Sequence, residues 1–351
     1  MIVDVHAHAF PPLAGACGYA SVAEHIQFMQ THLAVRGPVV DRQGSDFSAE
    51  EDVNFRVSPF GRLEWTKGGK DSFTQWMPPT LQDMHAPPEL MIAQMDYIGV
   101  DHAILYRGHV YGKLNDYLAD CSRRYPKRLT AIAQIDEADA YQPAQIDELR
   151  RSVRELGLRG LYFEIEHFKI VGATHTVDDP RFDPLWEEVV GLGIPLVWDI
   201  SRQIDPALHL GHLHRTRRVI ERFPKMVNIL SHFGSYIRDP KTRQVNNWDE
   251  ILSCAALPNV FLELVQVQYP STRTGDEYPF PLGRQLIEQA YRRLGAGKLV
   301  WGSDMPALER ACTYRQSLDY IRTHCDFMTA SEKDRVLGDN TAEIFRIGRA
   351  S

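Results

Sequence analysis

Cysteine is scarce and unpaired in this chain: Cys17, Cys121, Cys254, Cys312 and Cys325 are scattered, odd in number and without a C-x-x-C pair. That pattern excludes a disulfide framework and a thiolate zinc ribbon, and fits reduced thiols used for packing. Long apolar runs are also missing. No stretch approaches the ~18–20 residues that span a bilayer, and the amino terminus reads as a core strand without a charged leader. Positive charge is in deficit, 39 Lys and Arg against 46 Asp and Glu for a net charge of −7, which leaves no basic face for nucleic acid or anionic lipid. These absences describe an acidic cytoplasmic protein whose partners are neither membranes nor nucleic acids. With 351 residues, 44% of them hydrophobic, the chain buries a large core, and we read it as a single domain over residues 1–351.

What is present begins in the first ten residues, MIVDVHAHAF, an apolar strand pattern that delivers His6 and His8. Strand side chains repeat with period two, so both imidazoles are expected on one face as a ready pair of metal ligands. From residue 90 onward, short apolar runs alternate with amphipathic segments. The runs are 101–106, 129–136, 158–165, 194–200, 227–231, 259–265 and 298–302, and with the first strand they make eight. Helical spacing marks 145–156, 181–192, 213–223, 281–294 and 314–324. Eight strands with intervening helices predict an α/β fold, a (β/α)8 TIM barrel.

The surplus length lies between the first and second strands. Residues 34–88 carry Gly, Pro, charge and isolated aromatics without a clear period. A loop after a barrel strand lies on the active-site face, so this insertion reads as a lid or substrate-pocket element.

Catalytic groups of such a barrel sit at the carboxyl ends of its strands. The sixth strand runs into His232 (NILSHFG), the eighth into Asp304 (LVWGSDMP) and the fifth into Asp199 (PLVWDIS). Glu164 and Glu166 alternate around the end of the fourth strand and are expected to share a face as a further ligand, base or partner of a histidine, with His167 and His175 on the same loop. Arg107 and His109, just beyond the second strand, suit a clamp on a substrate carboxylate. Glu263 is undecided between structure and function, and His209, His212 and His214 read as an exposed polar segment.

The segments VDVHAHAFPP, NILSHFG, KLVWGSDMP and VLGDNTAEIFRI resemble the amidohydrolase-related group of the amidohydrolase superfamily, whose relatives include aminocarboxymuconate-semialdehyde decarboxylase and resorcylate-type decarboxylases. The likeness runs in order from residue 1 to about residue 347, outside the insertion. It implies that His6 and His8 bind one divalent metal, that Asp304 is a ligand or acts on the metal-bound water, and that His232 faces the substrate as an acid/base or electrostatic residue. Neutral imidazoles suit zinc first, with manganese as the alternative. The resemblance also implies a homodimer.

One departure stands out, because most relatives end the fifth strand in a histidine ligand where this chain has Asp199. Asp199 is either a substituted metal ligand, the reading we prefer, or a residue with other work. The expected function is a metal-dependent hydrolase of a small organic acid or its lactone, ester or amide. A metal-dependent decarboxylase of an aromatic or unsaturated acid, a metal-independent lactonase, and a binding protein on a decayed barrel are the alternatives.

Overall fold

The alternation of apolar runs and amphipathic segments folds into a ring of eight parallel strands wrapped by helices. The computed structural model describes residues 1–36, 46–200, 205–239, 242, 244–265 and 278–348. The first strand, β1 (Val3–His8), is followed by an excursion with helix α1 (Val22–Arg36) and three antiparallel strands, β2 (Arg56–Ser58), β3 (Arg62–Lys67) and β4 (Lys70–Gln75). The barrel resumes with β5 (His102–Tyr106), β6 (Leu129–Ala131), β7 (Leu161–Glu164), β8 (Leu196–Asp199) and β9 (Asn228–Leu230). A short hairpin, β10 (Ile237–Arg238) with β11 (Val245–Asn246), precedes the last two barrel strands, β12 (Val260–Glu263) and β13 (Leu299–Val300).

Two parallel sheets, β1-β5-β6 and β7-β8-β9-β12-β13, supply the wall. Ala133 pairs with Leu161 across one gap and Ala7 with Met305 across the other, where Val5 N also donates to Trp301 O at 3.1 Å. The interior is filled by Val5, Ile104, Tyr106, Ile132, Tyr162, Val197, Ile229 and Val300 together with Phe345, and half-buried Phe261 of β12 packs against them. Pro88, Pro143, Pro206 and Pro281 each open a surrounding helix, at the position where the missing N–H costs nothing. Behind β7 and β8, Phe163, Trp186 and Trp198 meet with ring centroids 5.2–5.3 Å apart. Such pairs contribute roughly 0.5–1.5 kcal/mol each beyond their buried area, and here they brace the strands that end in Glu164 and Asp199.

The insertion has more regular structure than its composition suggests. Within residues 34–88, the antiparallel sheet hinges on Gly68 and Gly69, both at positive φ, between the paired Lys67 and Lys70. That is a two-residue hairpin turn, and β3 alternates around buried Leu63 and Trp65. Residues 37–45 of the insertion lie outside the described residues. The helix expected at 213–223 starts earlier, at Pro206. This carries His209 into the interior, where Nε2 meets the Gly234 carbonyl at 2.9 Å, so His209 is a buried structural residue rather than part of an exposed segment.

Candidate active site

The period-two expectation for β1 needs one amendment. The β1–β5 register pairs Asp4 with Ala103 but Ala7 with Leu105, so one extra residue is accommodated between them. Such a bulge re-aims side chains. Val5 joins the barrel interior, and His6 turns inward as well, its ring 4.3 Å from that of Tyr106. Asp4 is left to staple the seam. Its carboxylate accepts from His6 N at 3.0 Å, Ser303 N at 2.9 Å and Tyr314 OH at 2.8 Å, while burial pushes its carboxyl up to about 6 against those bonds.

Gly302 makes room for the bulge. A Cβ there would lie 2.9 Å from His6 Cβ, 3.0 Å from Glu263 Oε1 and 3.1 Å from Val5 Cγ1. Gly302→Ala is therefore expected to destabilise the fold by roughly 1–3 kcal/mol by overpacking and to displace His6. A urea titration showing wild-type stability would refute this packing account.

His6 and His8 converge with Asp304 at the carboxyl end of the barrel. His6 Nε2 and His8 Nε2 are 3.1 Å apart, and Asp304 Oδ1 lies 2.9 Å from His8 Nε2 and 3.8 Å from His6 Nε2. The second nitrogens settle the tautomers. His8 Nδ1 faces the Tyr106 carbonyl at 3.1 Å, which only accepts, and His6 Nδ1 faces Glu263 Oε1 at 2.9 Å. Both Nδ1 atoms therefore carry a proton, and the two Nε2 atoms are aimed at each other beside a carboxylate oxygen. Three buried donors of electron density at this spacing repel one another unless a cation or a shared proton lies between them. The donor set fits a divalent ion bound by His6, His8 and Asp304. Burial opposes charge on His6, yet the Glu263 carboxylate outweighs it and holds the imidazole above its ordinary range, which also strengthens Nε2 as a ligand.

Asp199 stands apart from that triad. Its Oδ2 accepts from Tyr162 OH at 2.7 Å and lies 3.6 Å from His232 Nε2, and its Oδ1 accepts from Ser235 Oγ at 3.2 Å. Among the described residues, three groups lie within cation-binding reach: His6, His8 and Asp304; His6, His232 and Glu263; and, away from the pocket, His109, Glu137 and His167; Asp199 belongs to none of them. As arranged here, the aspartate that replaces the fifth-strand histidine pairs with His232 instead of filling a ligand position.

His232 opens a stretch of four consecutive residues, His232 to Ser235, at positive φ (53°, 54°, 68° and 57°). Each non-glycine residue in that conformation costs roughly 1–2 kcal/mol. The turn is held by Glu263 Oε2 on His232 N at 2.8 Å, by the Ser235–Asp199 bond and by the His209 bond to the Gly234 carbonyl.

A pocket opens over these groups, lined by His6, His8, His232, Asp304, Asp199 and Glu164 from the barrel. Helix α1 contributes His32, the insertion contributes Trp76, and Arg310 follows the eighth strand. The sequence reading missed Tyr162, Ser235, His32, Trp76 and Arg310. Tyr162 was available to it, since it lies two residues before Glu164 on the same strand face. Glu166 does not share that face, because the strand ends at Glu164 and Glu166 begins a short helix, Glu166–Ile170.

Arg107 and His109 are turned away from the pocket. The buried Arg107 guanidinium donates to the carbonyls of Gly112 and Gln134, each at 2.8 Å, so its fork is spent on the backbone and is not a carboxylate clamp. His109 bonds Glu137 and stacks on His167 with centroids 4.0 Å apart, beneath Phe28 of α1. His175 bonds the Ala138 carbonyl at 2.7 Å.

Burial pushes the Glu137 carboxyl up to about 7, opposed by His167, the Glu164 N–H and Gln134. A carboxyl raised above its unfolded value stabilises the fold fully at low pH and loses that contribution as pH rises through the folded value. We therefore expect stability to fall between about pH 4.5 and 7 by on the order of 2–4 kcal/mol from this group. Glu137→Gln should flatten that slope in urea midpoints taken at pH 5 and pH 8. An unchanged slope would show that Glu137 does not titrate there.

An amidohydrolase family model matches residues 3–347 of the chain. An L-fucono-1,5-lactonase of Burkholderia ambifaria is 22% identical over 307 residues, 85% of this chain and 98% of that one. A probable 2-pyrone-4,6-dicarboxylic acid hydrolase of Acinetobacter baumannii, solved with citric acid bound, superposes with a TM-score of 0.61 at 17% identity over 98% of this chain and 99% of that one. A dihydroxybenzoic acid decarboxylase of a Polaromonas species, solved with manganese and an inhibitor, superposes with a TM-score of 0.53 at 15% identity, covering 74% of this chain and 86% of that one.

Proposed function

Given that the chain belongs to the amidohydrolase family, we propose that it is a metal-dependent hydrolase that opens the ring of a small, uncharged lactone to give a hydroxy acid. The observation that carries this reading is the convergence of His6 Nε2, His8 Nε2 and Asp304 Oδ1 at the floor of the pocket. A divalent ion there, zinc or manganese, would polarise the lactone carbonyl and make water a nucleophile at neutral pH. His6, His8 and Asp304 Oδ1 would hold that ion. Asp304 takes the proton of the attacking water and returns it to the ring oxygen as the ester bond breaks. His232, with its Nε2 near Asp199, is placed to donate a hydrogen bond to the carbonyl oxygen as charge develops there. Trp76 from the insertion and His32 from α1 cover the site and limit water.

The charge of the lining favours a neutral substrate. Among the described lining residues Glu164, Asp199 and Asp304 face one guanidinium, Arg310, so even with a divalent ion no positive charge is left over for a polyanion. Ring opening creates a carboxylate beside these groups, and the repulsion helps it leave. Arg310 is the observation that keeps the decarboxylase reading in play, since it is the cation that could seat a departing carboxylate.

The test is a pH-indicator assay of purified protein on a panel of sugar and hydroxy-acid lactones, with zinc or manganese added or removed by chelator. Metal-dependent acid release is the expected result. Hydrolysis indifferent to chelator would replace this mechanism with a metal-free lactonase, and carbon dioxide release from aromatic acids without lactone turnover would replace it with decarboxylation.

A further inference from the structure

We propose that Glu263 is the positioning residue of this site, a single carboxylate that fixes both the tautomer of His6 and the backbone of His232. The side chain is fully buried at the end of β12. Oε1 accepts from His6 Nδ1 at 2.9 Å, and Oε2 accepts from His232 N at 2.8 Å. One arm thus decides which imidazole nitrogen of His6 is bare, and the other anchors the first residue of the left-handed turn that aims His232 into the pocket.

Both partners are donors, so the hub must accept at both ends. A carboxylate does; an amide of the same size cannot, because its nitrogen would face a second N–H. The surroundings reinforce the requirement. Gly302 leaves room for Oε1, which an added Cβ would meet at 3.0 Å, and the His6 and His232 rings, with centroids 4.9 Å apart, flank a carboxylate that bonds both residues. Without Glu263, His6 has no acceptor for its Nδ1–H, and the tautomer with the proton on Nε2, pointing at His8, becomes competitive. His232 N loses its partner in a turn that is already costly.

The inference rests on the metal reading above for its effect on affinity, but the tautomer can be observed without any ion. The experiment uses protein labelled with ¹⁵N-histidine and freed of metal, with nitrogen–proton correlation spectra of wild type and Glu263→Gln, followed by zinc titration against a competing chelator. Wild type should show the proton of His6 on Nδ1. The variant should show a second tautomer population and bind zinc on the order of 10- to 100-fold more weakly, with an unchanged circular dichroism spectrum. A wild-type His6 protonated on Nε2, or a folded variant that binds zinc as tightly as wild type, would overturn the proposal. Should the variant fail to fold, the wild-type tautomer still decides. If wild type itself takes up no zinc, the proposed metal function falls, while the tautomer spectra of the two proteins still support or overturn the role of Glu263.

Discussion

Asp304→Asn is expected to lower kcat on the substrate lactone by on the order of 10²- to 10⁴-fold while leaving KM within a few-fold of wild type. The two halves of that result have different causes. The amide keeps an oxygen where Oδ1 lies, 2.9 Å from His8 Nε2, so the floor of the pocket retains its shape and the ground state binds much as before. What disappears is the basic site that takes a proton from water and returns it to the ring oxygen, and that transfer belongs to the transition state. The conformation adds a constraint of its own. Asp304 sits at a φ of 66°, a region asparagine tolerates well, so the substitution tests the charge and not the backbone. Steady-state kinetics at saturating metal measure the effect. A variant within tenfold of wild-type kcat would show that another group moves the proton.

The second large effect is on metal uptake. Replacing both His6 and His8 by Ala removes two of the three converging lone pairs and leaves Asp304 as the sole donor of the triad. Elemental analysis should fall from about one ion per chain to none. Stability should respond too, because a ligand that binds only the native state stabilises it by about 4 kcal/mol when present at 1,000 times its dissociation constant. Added zinc should therefore raise the melting temperature of wild type and leave that of the double variant unmoved. Equal shifts in both proteins would place the ion elsewhere; the buried His109, Glu137 and His167 would then be the next residues to alter.

The barrel was legible because its strands are short apolar runs between amphipathic helices, and the eight segments expected from the pattern are the eight that form the ring. The rim was legible in part, since the pocket lies at the carboxyl ends of the barrel strands: His8, Glu164 and Asp199 end their strands, and His232 and Asp304 follow theirs within a few residues. His6, His8, His232, Asp304, Asp199 and Glu164 are brought together there. Past a strand's end the side-chain direction no longer follows from the alternation. Arg107 lies one residue past β5, where period two no longer applies, and three buried backbone and side-chain acceptors claim its guanidinium. Glu166 failed for the same reason.

Other features have no local signal. The bulge that turns His6 inward adds one residue without changing the apolar pattern, and the Asp199 partners come from Tyr162 and Ser235, residues on two other elements. The Gly68-Gly69 turn was readable in the insertion. It was obscured by the weak alternation of β4, whose buried residues are few.

The seam between β1 and β13 has a consequence for how the molecule comes into being. His8 and Asp304 touch across 296 residues of chain, and the bond that zips their strands, Asp304 N to His6 O at 2.8 Å, has the same reach. Contacts of such separation form late, after the intervening segments have paid the entropy of closing that loop. During synthesis His8 emerges 296 residues ahead of the carboxylate it meets. A nascent chain stalled before its eighth strand holds an imidazole pair without the carboxylate, so on the proposed metal reading tight ion capture would belong to the closed ring and report on its completion.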